Sequence, residues 1–228
     1  GVYLLDSGMS FIHDNQIKLN TQSGIIGDAS ENGVTQRVTI NDNQINTNVE
    51  YGINFLGHIS GTIRDFTIQG NTIGDNDIGG IRTSGINEAT FTLNIIKANT
   101  FSNSDLFAID GTVGLILSGE TNEAIENSFL GHHTGLKMVD SVSNTIKNNT
   151  FKSNSPWAIS MSDGTINNLI ERNDIILNSN GIRIGVSTIK MTVLNNLIRY
   201  NHIVANSGLA VLINSGPQDE IEFNNIFN

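Results

Sequence analysis

The chain has 228 residues, a net charge of −10, 15% charged residues and no cysteine. The absence of cysteine excludes disulfides, thiolate metal sites and a cysteine nucleophile. The lack of a basic stripe argues against a nucleic-acid partner, and no apolar run is long enough to suggest a membrane span. The chain opens on Gly1 without a methionine or a signal peptide, so we interpret residues 1–228 as a single domain trimmed from a longer protein.

From the N-terminus onward, asparagine recurs at a regular interval, and an apolar residue follows it two places later. The interval is 28 residues over the first five copies and shorter or equal afterwards, the positions being Asn15, Asn43, Asn71, Asn99, Asn127, Asn149, Asn173, Asn201 and Asn224. A period in the twenties is typical of a solenoid, in which each repeat buries its apolar face against its neighbours. At a bend between strands an asparagine amide can bond to the coils on either side, so we predict a structural role for this ladder.

Two further landmarks keep the same spacing. A small residue followed by an apolar one recurs at Gly1-Val2, Gly24-Ile25, Gly52-Ile53, Gly80-Ile81, Ala108-Ile109, Gly135-Leu136, Ala158-Ile159, Gly181-Ile182 and Gly208-Leu209. An apolar residue precedes the ladder asparagine by three places at Ile40, Ile68, Ile96, Ile146, Ile170, Ile198 and Ile221. Alternation over such short stretches has the period of a β-strand, and we therefore predict an all-β solenoid of about eight coils.

The repeat carries a family resemblance. The pattern in Thr67 to Ile73 and Gly80 to Thr83, and again in Thr145 to Phe151 and Ala158 to Met161, resembles the repeat of the pectate-lyase-like superfamily. The resemblance implies a right-handed parallel β-helix with three short strands per coil. It also implies a functional range that covers polysaccharide lyases, glycoside hydrolases, uronan epimerases, phage tailspikes, adhesins and NosD-type periplasmic proteins. Most of these use one face of a sheet to bind an extended sugar chain.

One outward position repeats once per coil, directly after each small-apolar pair, and its side chains should form a column on the surface. The predicted column contains Ile26, Asn54, Arg82, Asp110, Lys137, Ser160, Arg183 and Ala210. Three places before the pairs of three successive coils lie Asp77, Asp105 and His132, at the rim of the same strands. We predict that these polar groups converge with the column.

These residue types suit chemistry on a uronate chain. β-Elimination needs a cation, often calcium, that neutralises the uronate carboxylate, and a Lys or Arg base that takes the neighbouring C5 proton. The hypothesis assigns catalysis to Arg82, Asp110 and Lys137, substrate contacts to Asn54, His132, Ser160 and Arg183, and calcium to Asp77, Asp105 and Asp110. A hydrolase would use the same aspartates as acid and base. The alternating signs of the three catalytic candidates are also typical of a structural ladder of surface ion pairs.

The predicted function is an extracellular or cell-surface domain that interacts with a polysaccharide or another glycan, with lyase-like or epimerase-like catalysis left open. The alternative is a non-catalytic structural or adhesive segment, such as part of a phage tailspike or a surface filament. Short turns favour that alternative, and open coil edges would allow end-to-end or trimeric self-association. The Arg-x-Pro-x-x-Arg pattern of pectate lyases and the Asp-Pro-His-Asp tetrad of alginate epimerases are absent. Trp157 and Tyr51 are interpreted either as sugar-stacking rings or as packed residues.

Overall fold

The computed structural model describes residues 1–83, 90–103, 111–162, 164–185, 193–214 and 218–227. All regular elements in these ranges are β-strands, and none of these residues form a helix long and apolar enough to cross a membrane. The strands are short because each coil turns a corner after a few residues. Their β-branched and aromatic residues favour the pleated conformation, and Asn and Gly tolerate the turns.

Three parallel sheets run along the whole described chain. Sheet 1 contains, in spatial order, β1 (Val2–Leu5), β4 (Ile25–Ala29), β8 (Tyr51–Gly57), β12 (Gly79–Arg82), β16 (Val113–Glu120), β19 (Thr134–Val142), β22 (Trp157–Met161), β25 (Asn180–Ile184) and β28 (Val211–Ile213). Sheet 2 contains β2 (Phe11–His13), β6 (Thr39–Asn41), β10 (Thr67–Gln69), β14 (Ile95–Lys97), β17 (Glu123–Ile125), β20 (Thr145–Lys147), β23 (Leu169–Glu171), β26 (Leu197–Arg199) and β29 (Glu220–Glu222). Sheet 3 contains β3 (Gln16–Lys18), β7 (Gln44–Asn46), β11 (Thr72–Gly74), β15 (Thr100–Ser102), β18 (Ser128–Leu130), β21 (Thr150–Lys152), β24 (Asp174–Ile176), β27 (His202–Val204) and β30 (Asn225–Phe227).

Successive strands within each sheet come from successive coils, so the chain forms a parallel β-helix, as predicted. Each sheet path has nine strands, one more than the predicted coil count of about eight. Three additional strands, β5 (Val34–Gln36), β9 (Thr62–Arg64) and β13 (Thr90–Thr92), pair side by side and continue onto the end of β16. In β16 and β19 a single long strand spans this extra position, which explains why those two coils lack a separate fourth strand.

The interior is a set of stacked apolar columns. Ile40, Ile68, Ile96, Ile146 and Ile170 are fully buried in sheet 2, which confirms the third landmark as an inward position. In sheet 3, the rings of Phe101, Phe129 and Phe151 stack nearly parallel, with centroids 4.6 and 4.7 Å apart. Burying each such side chain stabilises the fold by about 1.5–3 kcal/mol.

The predicted asparagine ladder is present between sheets 2 and 3. Asn99 is representative: its backbone N–H and its side-chain amide both donate to Asn127 Oδ1, at 3.0 and 3.1 Å, and the amide also donates to the Ile68 carbonyl at 2.9 Å. Two more ladders line the other corners, one through Asn20, Asn48, Asn76, Asn154, Asn178 and Asn206, the other through Asn94, Asn122, Asn144, Asn168 and Asn196. The residue before a ladder asparagine commonly has positive φ, as in Asp42 and Asn148, and this conformation produces the bend.

Two of the small-apolar pairs were wrong. Ile81 pairs with Leu115 and Ile182 pairs with Val211, so Gly114-Leu115 and Ala210-Val211 occupy the sheet 1 positions assigned to Ala108-Ile109 and Gly208-Leu209. The connections before those strands are longer than the repeat average, and counting along the sequence misplaced the next strand. Pairing and burial set the register, whatever the length of the connection.

Candidate functional site

The outer face of sheet 1 brings five predicted site residues into one column. Consecutive Cα partners along the sheet are Asn54 with Arg82, Arg82 with Ile116, Ile116 with Lys137, Lys137 with Ser160, and Ser160 with Arg183. Their sequence neighbours, such as Ile53 and Phe55 beside Asn54, belong to the buried core, so the column points outward. We call this set the sheet 1 column.

Positive charge occurs on every second strand of the sheet 1 column. Arg82, Lys137 and Arg183 are each separated from the next by one strand, which carries Ile116 or Ser160. Strands in a sheet are about 4.8 Å apart, so the three cations are spaced about 10 Å apart along the helix axis. Lys137 is exposed, whereas the two arginines are half-buried.

An aromatic ring lies beside each arginine of the column. The guanidinium carbon of Arg82 is 5.7 Å from the Tyr51 ring centroid, and that of Arg183 is 5.8 Å from the Trp157 ring centroid. Both rings are buried, which settles the open interpretation of Tyr51 and Trp157 as packed residues. Burial raises the pKa of Tyr51, while the charge of Arg82 acts in the opposite direction. At these distances each guanidinium group is attracted to the face of its neighbouring ring.

Asn54 has a buried polar atom on this face without a hydrogen-bond partner among the described residues. It is 5% exposed, and its Oδ1 atom makes no hydrogen bond with any described residue. Its neighbours in the column are Ile26 on one side and Arg82 on the other. A buried amide without a partner is costly, so Asn54 is a candidate for a ligand contact.

The predicted column was wrong at two positions. Ile116, not Asp110, lies between Arg82 and Lys137, and Leu212, not Ala210, pairs with Arg183. Asp110 and Asp105 themselves lie outside the described residues. The sequence predicted side chains of alternating charge sign along the column, as in a ladder of ion pairs. In the structure, cationic side chains alternate with uncharged ones.

His132 does not lie at the rim of sheet 1 as predicted. It occupies a ladder position, and its backbone N–H donates to Asn154 Oδ1 at 3.0 Å. The imidazole is 4% exposed, and both ring nitrogens lack a hydrogen bond within the described residues. Burial lowers the pKa of His132 to about 4, an effect that the Phe101 backbone and Asp75 oppose. Such a side chain cannot reach a ligand on the surface.

Of the three predicted calcium ligands, Asp77 is the one that lies within the described residues. It is exposed in the turn before β12. No group of three histidine or acidic side chains among the described residues is arranged to hold a metal ion. Calcium therefore remains a prediction that depends on Asp105 and Asp110.

A second polar cluster on sheet 1 was missed by the sequence reasoning. The Tyr3 hydroxyl donates to Asp28 Oδ2 at 2.6 Å, and this hydrogen bond is the main cause of a raised Tyr3 pKa. His58 Nε2 lies 3.8 Å from Asp28 Oδ1, and the Asp28 side chain is 7% exposed. No regular spacing links these residues, because they lie at different distances from the repeat landmarks. At 3.8 Å the imidazole and the carboxylate form a loose pair without a direct hydrogen bond.

The comparisons with known proteins agree with this architecture. A family model described as "Right handed beta helix region" matches residues 84–228, and one described as "Periplasmic copper-binding protein (NosD)" matches residues 1–112. No curated protein matches the chain.

Among solved structures, the periplasmic alginate epimerase AlgG aligns with a TM-score of 0.66 and 15% identity over 93% of this chain and 50% of its own. A mutant of that enzyme aligns with a TM-score of 0.65, 15% identity and coverages of 93% and 51%. This chain therefore spans about half the length of the epimerase. The likeness shows a shared fold.

The second family description names copper as the bound metal. Copper sites use histidine, cysteine and methionine ligands. The chain has no cysteine, and its described histidines do not cluster with one another or with carboxylates in sets of three. The histidine and acidic side chains of the described residues thus form no group that could hold copper.

Proposed function

This chain belongs to the right-handed β-helix family, and we propose that it binds an extended anionic polysaccharide along the outer face of sheet 1. The observation that carries the proposal is the placement of Arg82, Lys137 and Arg183 on alternate strands of one column. A sugar chain lying parallel to the helix axis would meet a cation at regular intervals. Uronate carboxylates are the matching groups, because guanidinium and ammonium groups form charge-assisted hydrogen bonds with them.

The net charge of −10 does not prevent this binding. At physiological ionic strength the screening length is about 8 Å, so acidic groups elsewhere on the molecule are largely screened from the ligand. A carboxylate in contact with an exposed cation, at about 4 Å, gains about 1 kcal/mol in water, at the upper end of what exposed ion pairs contribute. Local contacts at the sheet 1 column therefore outweigh the overall charge.

The spacing of the cations favours binding of several successive sugars over joint catalysis on one sugar. Arg82 and Lys137 are two strands, or about 10 Å, apart, whereas neutralisation of a carboxylate and removal of the adjacent C5 proton must occur on neighbouring atoms. The spacing therefore supports polysaccharide binding by Arg82 and Lys137 better than it supports joint catalysis by them. Lyase-like or epimerase-like turnover, with Asp110 as a third participant, remains a separate proposal.

An extracytoplasmic location follows from the proposed ligand, since such polysaccharides are assembled and displayed outside the cytoplasm. The aligned epimerase is a periplasmic enzyme of alginate, which supports the same location. The alternative function, a structural or adhesive segment, predicts no affinity for a soluble polyuronate.

The test compares two lysines of the same coil. Lys137 is exposed on sheet 1 and Lys152 is exposed on sheet 3, so Lys137→Gln and Lys152→Gln remove the same charge from different faces. Affinity for polymannuronate, polyguluronate and polygalacturonate would be measured by calorimetry or affinity electrophoresis at two salt concentrations. We expect Lys137→Gln to weaken binding about threefold, the effect of one exposed ion pair, and Lys152→Gln to leave it unchanged. Equal losses in the two variants, or no binding by the wild-type protein, would refute the proposal.

A further inference from the structure

We propose that Asn54 determines sugar specificity on this face, by exchanging hydrogen bonds with a ring hydroxyl of the same uronate residue whose carboxylate binds to Arg82. The inference rests on the proposed function and narrows its ligand to a uronate with a free hydroxyl group near the carboxylate. The Asn54 side chain carries both a donor and an acceptor, which are the two groups that a hydroxyl requires.

Asn54 differs from the other buried asparagines of the described chain. Each of the others belongs to one of the three ladders at the corners of the coils, where its amide bonds to neighbouring coils. Asn54 lies in the middle of β8, between the inward side chains Ile53 and Phe55, and faces outward. The hydrogen bonds at the corners, which explain the burial of the other asparagines, therefore do not explain the burial of Asn54.

The surrounding column does not require a polar residue at this place. Ile26, Ile116 and Leu212 occupy equivalent positions on other strands, so the sheet accepts an apolar side chain there. An amide with its oxygen buried and unpaired is less favourable in the free protein than such an apolar side chain. A ligand that supplies the missing hydrogen bonds would account for the asparagine.

Arg82 links Asn54 to the carboxylate. The two residues are Cα partners on adjacent strands, about 4.8 Å apart, which is a separation that one sugar ring can bridge. The guanidinium group of Arg82 lies over the ring of Tyr51, on the same strand as Asn54. A uronate whose carboxylate binds to Arg82 would therefore place its ring hydroxyls next to β8, on the side of the Asn54 amide.

The experiment uses Asn54→Leu, with Arg82→Gln as the matched variant, and two ligands that differ only at the ring hydroxyls. The ligands are a polyuronate and its O-acetylated form, in which the hydroxyls can no longer donate. We expect the wild-type protein to prefer the unmodified polymer about tenfold, the ratio that corresponds to one hydrogen bond. Asn54→Leu should lose this preference, whereas Arg82→Gln should weaken the binding of both polymers and keep their ratio.

Thermal unfolding of the free protein provides a readout that does not depend on the ligand. Asn54→Leu should raise the unfolding midpoint, while Asn99→Leu, which breaks a ladder, should lower it. A lower midpoint in Asn54→Leu would show that the amide has a structural partner and would overturn the inference. An unchanged preference in Asn54→Leu would overturn it as well, while leaving polysaccharide binding intact. Absence of binding by the wild-type protein would overturn the proposed function and, with it, this inference.

Discussion

Acidification is expected to destabilise this protein through His132, the imidazole that occupies a ladder position. Burial lowers its pKa to about 4 in the folded chain, from an ordinary value of 6.5. As the pH falls below 6.5, the unfolded chain binds a proton at this residue and the folded chain does not. The unfolded state is therefore favoured progressively until the pH reaches about 4, where the folded protein also becomes protonated.

The size of the effect follows from the pKa difference. Each unit corresponds to about 1.4 kcal/mol, so the full shift removes about 3 kcal/mol from the free energy of unfolding by pH 4. A typical domain is stable by only about 5–15 kcal/mol, so this single residue accounts for a substantial fraction.

The variant His132→Asn separates this effect from the titration of carboxylates. Its amide should donate to the Phe101 carbonyl, as Asn76 does to Ile45 and Asn154 does to Phe129 in the same ladder. Urea unfolding would be followed by far-ultraviolet circular dichroism, at neutral pH and at about pH 4, for both proteins. We expect the variant to lose about 3 kcal/mol less on acidification than the wild-type protein. Parallel pH profiles would refute the argument, because all other titrating groups are shared.

Two other predictions concern the walls of the helix. Glu171 accepts hydrogen bonds or ion pairs from Lys147 at 3.0 Å, Arg199 at 3.1 Å and Arg172 at 3.7 Å, with the Lys147 contact as the main cause of its lowered pKa. Glu171→Gln should lower the free energy of unfolding by about 2 kcal/mol, a value between those for exposed and for buried ion pairs. This loss should be present above the ordinary pKa of 4.5. It should disappear at lower pH, where the wild-type Glu171 also becomes protonated. Urea titrations at several pH values check this, and a pH-independent loss would contradict it. Phe129→Ala removes the central ring of the sheet 3 stack and should lower the free energy of unfolding by about 3–5 kcal/mol in the same assay. Phe223 is 69% exposed, so Phe223→Ala should lower it far less. Similar costs for the two phenylalanines would show that the stack contributes little.

The inward side of the helix was predictable from the sequence because it obeys a local rule. Each coil must bury an isoleucine or phenylalanine beside that of the next coil, and each corner must satisfy its backbone amides. Residues such as Ile68 and Asn99 therefore repeat at the period of the coil. The same repetition predicted the column from Asn54 to Arg183 wherever the connections between strands keep their usual length.

The departures from that rule were decided by tertiary structure. The long connection before β16 shifts the sequence count, so that Ile116 occupies the place predicted for Asp110. His132 lies five residues after Asn127, the same spacing as Asn149 to Asn154, but only the assembled coils show that its imidazole is buried without a hydrogen bond. The unsatisfied amide of Asn54 becomes visible only once its surroundings are assembled. Strand register is set by pairing between residues far apart in the chain. A repeat counted along the sequence assumes connections of constant length, so it misplaces a strand that follows a longer connection. The sequence by itself thus determined which residues build the helix, whereas the tertiary structure decided which of the remaining residues share its binding face.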